Sequence, residues 1–342
     1  MQSEWHLCHN SGTPLLDRRI RHRIDDKLKR LQRLRPLNAA QVRKLREQLQ
    51  IEMTYNSNAI EGNTLTLRET YLVLQEGITI RGKPLKDHVE AKDHQEAIDF
   101  LHSLVSQRRP AISALLIRRL HQLVVRETDA EWAGHYRNGP VSITGASHVP
   151  PDAADVPSRV GSLIRWFKSS QRTLHPIERA ALFHHKLVSI HPFFDGNGRT
   201  ARLAMNVILM RHGFPLAIIL KNDRTKYYYA LQEADANRAS LLVLLIAQAV
   251  ERSLDLYLRT FETVPTDRLL TLAQASRGTV YSPKYLNLLA RTGRIGAFKR
   301  GRVWYTTKQA IEDYRKSRLR NRQCIPHHDE ALRPHGRRDK PG

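Results

Sequence analysis

Twelve residues in the middle of the chain, HPFFDGNGRTAR at positions 191–202, gather a base, a carboxylate, two glycines and two arginines. Each residue type has a use in handling phosphate. His191 is the one nearby group whose ordinary pKa lets it take a hydroxyl proton at neutral pH. Asp195 offers the hard oxygen that Mg²⁺ prefers. Gly196 and Gly198 allow a tight turn that aims backbone N–H groups inward as an anion nest, and a helix starting there adds its positive end. Asn197 can hydrogen-bond a phosphate oxygen. Arg199 and Arg202, three residues apart on one helical face, can fork onto phosphates. A bare Gly-Asn-Gly would read as an ordinary corner between helices, with a surface histidine and solvated arginines. The whole constellation argues for chemistry. It is not the GxxxxGK[ST] phosphate loop, because the lysine is absent.

The elements that must position this loop are mostly helical. Leu28, Leu31 and Leu34, then Val42, Leu45 and Leu49, recur at three-to-four residue spacing and are broken at Pro36, which predicts two helices. Further helices are expected over 87–106, after Pro110, over 155–171 and 176–190, from the loop onward, and over 226–236 and 241–261. Residues 136–151 change character: VSIT between glycines and prolines reads as a short β-hairpin. His184 and His185 stand close to His191, but without HExxH spacing they read as packed or solvent-facing side chains rather than zinc ligands.

Composition bounds the setting. The 342 residues carry a formal charge of +23, which favours nucleotides, nucleic acid or acidic protein surfaces as partners. The hydrophobic share of 41% speaks against wholesale disorder. Cys8 and Cys324 form no CxxC pair, the N-terminus lacks the apolar core of a signal peptide, and the longest apolar run, 241–250, is too short to span a bilayer. A cytoplasmic location without a membrane partner is expected.

The loop resembles the signature of the Fic family, HPFx[D/E]GNGRxxR, at every specified position. The resemblance extends in the family's order over roughly residues 57–261. It implies a protein adenylyltransferase: ATP with Mg²⁺ on Asp195, nucleotide contacts at Gly196, Asn197, Gly198, Arg199 and Arg202, and AMP passed to a Ser, Thr or Tyr hydroxyl of a target protein. Arg137 lies in a GxYR element (Gly134, Tyr136, Arg137). Residues 140–151 resemble the family's flap, in which Val141, Ser142, Ile143 and Thr144 would align an extended target segment by strand addition. The run KYYYAL from Lys226 resembles the adenine-side helix, with Tyr228 near the base. Here the chain departs from the usual Ala-Asn-x-Gly-Asp, having Asp235 in place of the asparagine, which bears on nucleotide choice.

Ser57, Glu61, Gly62 and Asn63 resemble the family's [S/T]xxxE[G/N] inhibitory motif. A helix ending at Gly62 would present Glu61 at its tip, with Ser57 one turn earlier to steady it. Glu61 would then pair with Arg202. Two rival readings use the same residues: removal of AMP from a modified protein with Glu61 positioning water, and a DNA-binding regulator that only senses nucleotide.

Beyond Pro265, a short helix, then YSPKYLNLLARTG, then AFKRGRVWY resembles an excisionase/MerR-like winged helix-turn-helix. Ser282 is placed as N-cap, Pro283 as the first helical residue and Gly293 as the stop. Lys284, Asn287 and Arg291 would face a groove, while Lys299, Arg300 and Arg302 would touch phosphates; the competing reading is a protein-interaction or packing module that keeps the fold and not the DNA contact. The expected class is therefore mostly α, with a β-hairpin flap and a small winged C-terminal module. The expected domains are 1–110 (helical, with the inhibitory motif), 111–262 (catalytic core), 266–316 (winged module) and 317–342 (disordered basic tail). Expected partners are ATP, a target protein, DNA and a second copy of the chain.

Overall fold

The computed structural model describes residues 14–106, 112–143, 148–261 and 269–323. Thr144, Cys8, Cys324, the linker at Val264–Pro265, residues 324–342 and the Arg300 side chain lie outside these. The chain forms two compact units, Met1–Val264 and Pro265–Gly342.

In the first unit α1 (Arg18–Arg33) and α2 (Ala39–Ile60) lie on either side of Pro36, capped by Asp17 and Asn38. The next helix, α3 (Leu67–Gln75), was not foreseen, although its start is written in the sequence. Thr66 and Glu69 exchange side-chain and backbone bonds in a capping box. Then follow α4 (Leu85–Ser106), α5 (Ala114–Val124), α6 (Val156–Ser169), α7 (Pro176–Ile190), α8 (Asn197–Arg211), α9 (Arg224–Asp235) and α10 (Ser240–Phe261).

α8 is the axis of this unit, buried along most of its length through Leu203, Val207 and their neighbours. Helices α2, α4, α5 and α7 pack around it. A helix buried on all sides is one enclosed by others, so its N-terminus, polar though it is, is held from several directions. No division between compact units falls near residue 110, because α4 packs on α5 and α8, and α1 lies along α10. The α1–α10 contact is pinned by Glu251, which meets Arg23 and Lys27, while Lys27 also reaches Asp255 at 2.6 Å. Burial alone would raise the Glu251 pKa, but these cations bring it down to about 2.

The hairpin expected at VSIT is not formed among the described residues. Residues 141–143 run without ladder partners, since β-branched residues need a second strand to pair with. The second unit holds β1 (Leu269–Thr271), α11 (Leu272–Ser276), α12 (Pro283–Arg291), β2 (Ala297–Arg300), β3 (Val303–Thr307) and α13 (Lys308–Gln323). Its antiparallel sheet has the order β1-β3-β2. Leu272, Leu286, Leu289, Ile295, Ile311 and Tyr314 make its core. The tail expected to begin at residue 317 instead continues α13 to Gln323, a helix anchored by the buried Ile311 and Tyr314 of its first turns.

Candidate active site

The site is the junction of α7 and α8. His175 caps α7, Pro176 starts it, and His191 ends it in the left-handed conformation at φ 48°, ψ 60°. This turn swings the imidazole off the helix axis. Its Nδ1 lies 3.3 Å from the Val188 carbonyl. A carbonyl only accepts, so Nδ1 carries the proton and Nε2 keeps its lone pair. Burial pushes the His191 pKa below its ordinary value and Arg137 adds to this, against the opposing pull of Val188, Glu61 and Asp195. The result is a neutral base at neutral pH.

The loop then turns through Gly196, also left-handed at φ 71°, where a Cβ would lie 2.8 Å from Val125. Asn197 does not present its side chain as anticipated. Its amide donates to the Phe193 carbonyl at 2.8 Å and accepts from the Phe193 N–H at 3.0 Å. The Asn197 side chain thus shapes the loop. Asp195 stays half exposed at the mouth. Burial raises its pKa, but Arg199, the Gly196 N–H and Lys86 together bring it below the usual carboxylate range. An ionised, accessible carboxylate beside an anion nest fits a divalent cation.

Arg199 and Arg202 are both nearly fully buried. Arg202 donates its Nε to the Ser57 hydroxyl at 2.9 Å and an Nη to the Ser57 carbonyl at 2.8 Å. Glu61 meets it at 2.7 Å. Burial disfavours the charged guanidinium, yet Glu61 and Tyr227 outweigh this and raise its pKa. Ser57 therefore steadies the arginine, whereas the spacing predicts support of Glu61. Glu61 is the C-cap of α2, followed by Gly62 at φ 105°. Its carboxylate rests on the start of α8, where a Cβ at Gly198 would lie 2.2 Å from its Oε1. The anion seat is thus taken by the protein's own carboxylate. Asn63 fastens the segment that follows, bonding the Asp87 carbonyl and the Glu90 carboxylate.

Tyr228 donates to the Ile60 carbonyl at 3.3 Å, with Arg224 over its ring, which places it at the tip of α2. Farther along α9, Asp235 meets His185 at 2.7 Å and accepts from Ser189 at 3.3 Å. Asp235, His185 and Ser189, with Ile190, His148 and Pro151, line a cleft of about 540 Å³ that reaches the residue preceding His191. His184 is buried, with Tyr227 3.0 Å from its Nε2. Among the described residues no group of three or more His, Cys, Asp or Glu gathers as a metal site.

Two residues gain a supporting role only in three dimensions, His121 and the Arg137 of the GxYR element. His121 of α5 stacks flat on Phe193 at 3.6 Å. It accepts from the Gly134 N–H and lies 3.1 Å from the Asp195 carbonyl, so its Nε2 carries the proton. Burial lowers its pKa to about 4. Arg137 is a strut: it donates to the carbonyls of His191, Gly139 and Pro151. Val141, Ser142 and Ile143 lie between the last two of these anchors. No spacing rule marks His121, which in sequence is one polar residue in an apolar helix.

Comparison with known proteins agrees with this geometry. The Fic/DOC family model matches residues 111–209. Protein adenylyltransferase Fic of Nematostella vectensis is 37% identical over 251 residues, 73% of this chain and 58% of that protein. Its counterpart from Drosophila erecta is 38% identical over 252 residues, 73% of this chain and 50% of that one. The chain thus spans about half the length of the curated relatives it matches. Among solved structures, a fragment of Fic-1 from C. elegans is 34% identical with a TM-score of 0.64, covering 71% of this chain and 72% of that chain. A Fic-domain signaling protein from Bacteroides thetaiotaomicron, 28% identical, has a TM-score of 0.66 and covers 72% and 98%. On the loop, its neighbours and these likenesses, the chain belongs to the Fic/DOC family.

Proposed function

We propose that this protein transfers AMP from ATP to a hydroxyl of a target protein and is held back by Glu61. The observation that carries the reading is a neutral imidazole, its Nε2 free, at the lip of an anion seat backed by two buried arginines. The triphosphate occupies the start of α8, with Arg199 and Arg202 opposing its charge. The nucleoside enters the cleft between Ser189, Asp235 and His148. The target hydroxyl loses its proton to His191 Nε2 while its oxygen bonds the α-phosphorus, and the bond from that phosphorus to the bridging oxygen breaks as pyrophosphate leaves. Asp195 would hold Mg²⁺, which when bound supplies positive charge to the phosphates. Incubation of a Glu61→Gly variant with ATP labelled at the α- or at the γ-phosphate tests the scheme. Label must appear in protein only from the α-position, and adding His191→Ala must remove it.

A second activity is favoured by the Pro265–Gly342 unit. Lys284, Asn287 and Arg291 all lie on the exposed side of α12, and Lys299 and Arg302 are exposed on the β2–β3 hairpin. We read this unit as a winged helix-turn-helix that binds duplex DNA, with α12 in the major groove. Affinity should fall steeply with salt, by a slope near −0.9 per phosphate neutralised. A chain ending at Val264 that retains the same affinity would reject this reading.

A further inference from the structure

Glu61 is not the only glutamate set against a phosphate-facing arginine. Glu90, on α4, is buried, and its Oε1 lies 3.3 Å from an Nη of Arg199. Its Oε2 accepts from Asn63 Nδ2 at 2.9 Å, and its backbone carbonyl accepts from Asn58 Nδ2 at 3.2 Å. Asn58 and Asn63 flank Glu61, one on α2 and one just past its end. A single residue of α4 thus touches the phosphate arginine and grips both sides of the inhibitory glutamate. The Arg199 guanidinium is otherwise lightly used. Its other Nη meets Asp195 at 3.3 Å, while Nε and the Nη facing Glu90, although buried, have no hydrogen-bond partner, so Glu90 acts on it by charge alone.

Resting on the proposed triphosphate seat, we propose that Glu90 is a second inhibitory carboxylate, opposing nucleotide charge at Arg199 as Glu61 does at Arg202. A carboxylate this close offsets the charge that a polyphosphate would otherwise meet, and partial burial strengthens the effect. Loss of the charge at Glu90 does not set Arg199 adrift. Asp195 still holds it, and it is enclosed on all sides. The tie through Asn63 adds a mechanical role, because a tail fastened to α4 keeps Glu61 over Gly198.

The test is calorimetric titration of the full chain with ATP in EDTA, comparing wild type with Glu90→Gln. The glutamine keeps shape and an acceptor for Asn63 but removes the charge. We expect Kd to fall at least about threefold, in keeping with a charge–charge contact at a partly screened site. A residue that merely held the fold, or aimed Arg199, would weaken binding when replaced. An unchanged or raised Kd therefore overturns the proposal. Glu90→Asp, which withdraws the carboxylate by one methylene, should tighten binding by less. It supplies the decisive comparison if the glutamine variant does not fold, and an Asp variant binding no tighter than wild type then overturns the proposal. Binding is read apart from turnover. If Glu61→Gly transfers no AMP the reading of function fails, while the Glu90 result stands on its own.

Discussion

Replacement of Glu61 by glycine should make the protein more active and less stable together. The carboxylate is the one acidic partner within 4 Å of the buried Arg202 among the described residues. Stripping one member from a fully buried pair costs about 3–5 kcal/mol. Here the cost is smaller, because the Glu61 side chain is 34% exposed and Ser57 still accepts two bonds from the guanidinium. A loss of about 1–2 kcal/mol is expected, at the lower end of what one hydrogen bond to a charged group contributes. At this size that lowers Tm by roughly 2–8 °C. ATP should then stabilise the variant more than it does wild type, since Arg202 is free and the seat over Gly198 is clear. At a hundredfold excess over Kd, the gain is about 2.7 kcal/mol. Incorporation of α-labelled phosphate should rise at least about tenfold, equal to about 1.4 kcal/mol off the barrier. Thermal melts with and without ATP, beside an incorporation assay, give both readings. A variant that melts like wild type and incorporates no more label would refute the reasoning.

His191→Ala should cut transfer by about 10²–10⁴-fold while ATP still binds, measured by single turnover and calorimetry in the Glu61→Gly background. Because burial lowers the pKa of His191, the neutral base persists as pH falls through 6.5. The acid limb of kcat/KM should therefore lie below that value, and a limb centred above it would remove His191 as the base. Asp195→Ala should raise the Mg²⁺ concentration needed for half-maximal turnover, and wild-type behaviour in a metal titration would free Asp195 of that role. Tyr227→Phe, in the Glu61→Gly background, should raise KM for ATP about threefold and leave kcat near its starting value. The tyrosine hydroxyl is the contact Arg202 keeps on the side of His184, so an effect confined to kcat would exclude it as a positioning residue.

The helices were legible where local signals and packing agree. Pro176 at a helix start and the three-to-four spacing after residue 197 needed no tertiary information. The catalytic loop was legible because its chemistry is contiguous. What escaped depends on contacts between distant segments. Asn197 looked free to meet phosphate, but a side chain at a tight turn bonds its own loop when that loop is buried. Ser57 looked like a support for Glu61, one turn away, yet the arginine 145 residues on offers the stronger donor. Glu90 and His121 sit at positions that helical periodicity treats as ordinary. Val141, Ser142 and Ile143 are strand-forming residues but have no strand beside them among the described residues, and propensity alone does not supply one.

Arg137 joins three backbone carbonyls belonging to three stretches of chain: the catalytic turn at His191 and the two stems at Gly139 and Pro151. Carbonyls do not titrate, so this joint is indifferent to pH in a way that an arginine–carboxylate pair is not. It also works like a bracket. Movement of either stem is passed through the Arg137 guanidinium to the turn at His191. Lysine at this position would bring a charge and three donors on one nitrogen, but not the planar fork that spans separate carbonyls. The stems would then be held less firmly to the turn at His191, which the backbone N–H of residue 137 still ties through the Pro192 carbonyl.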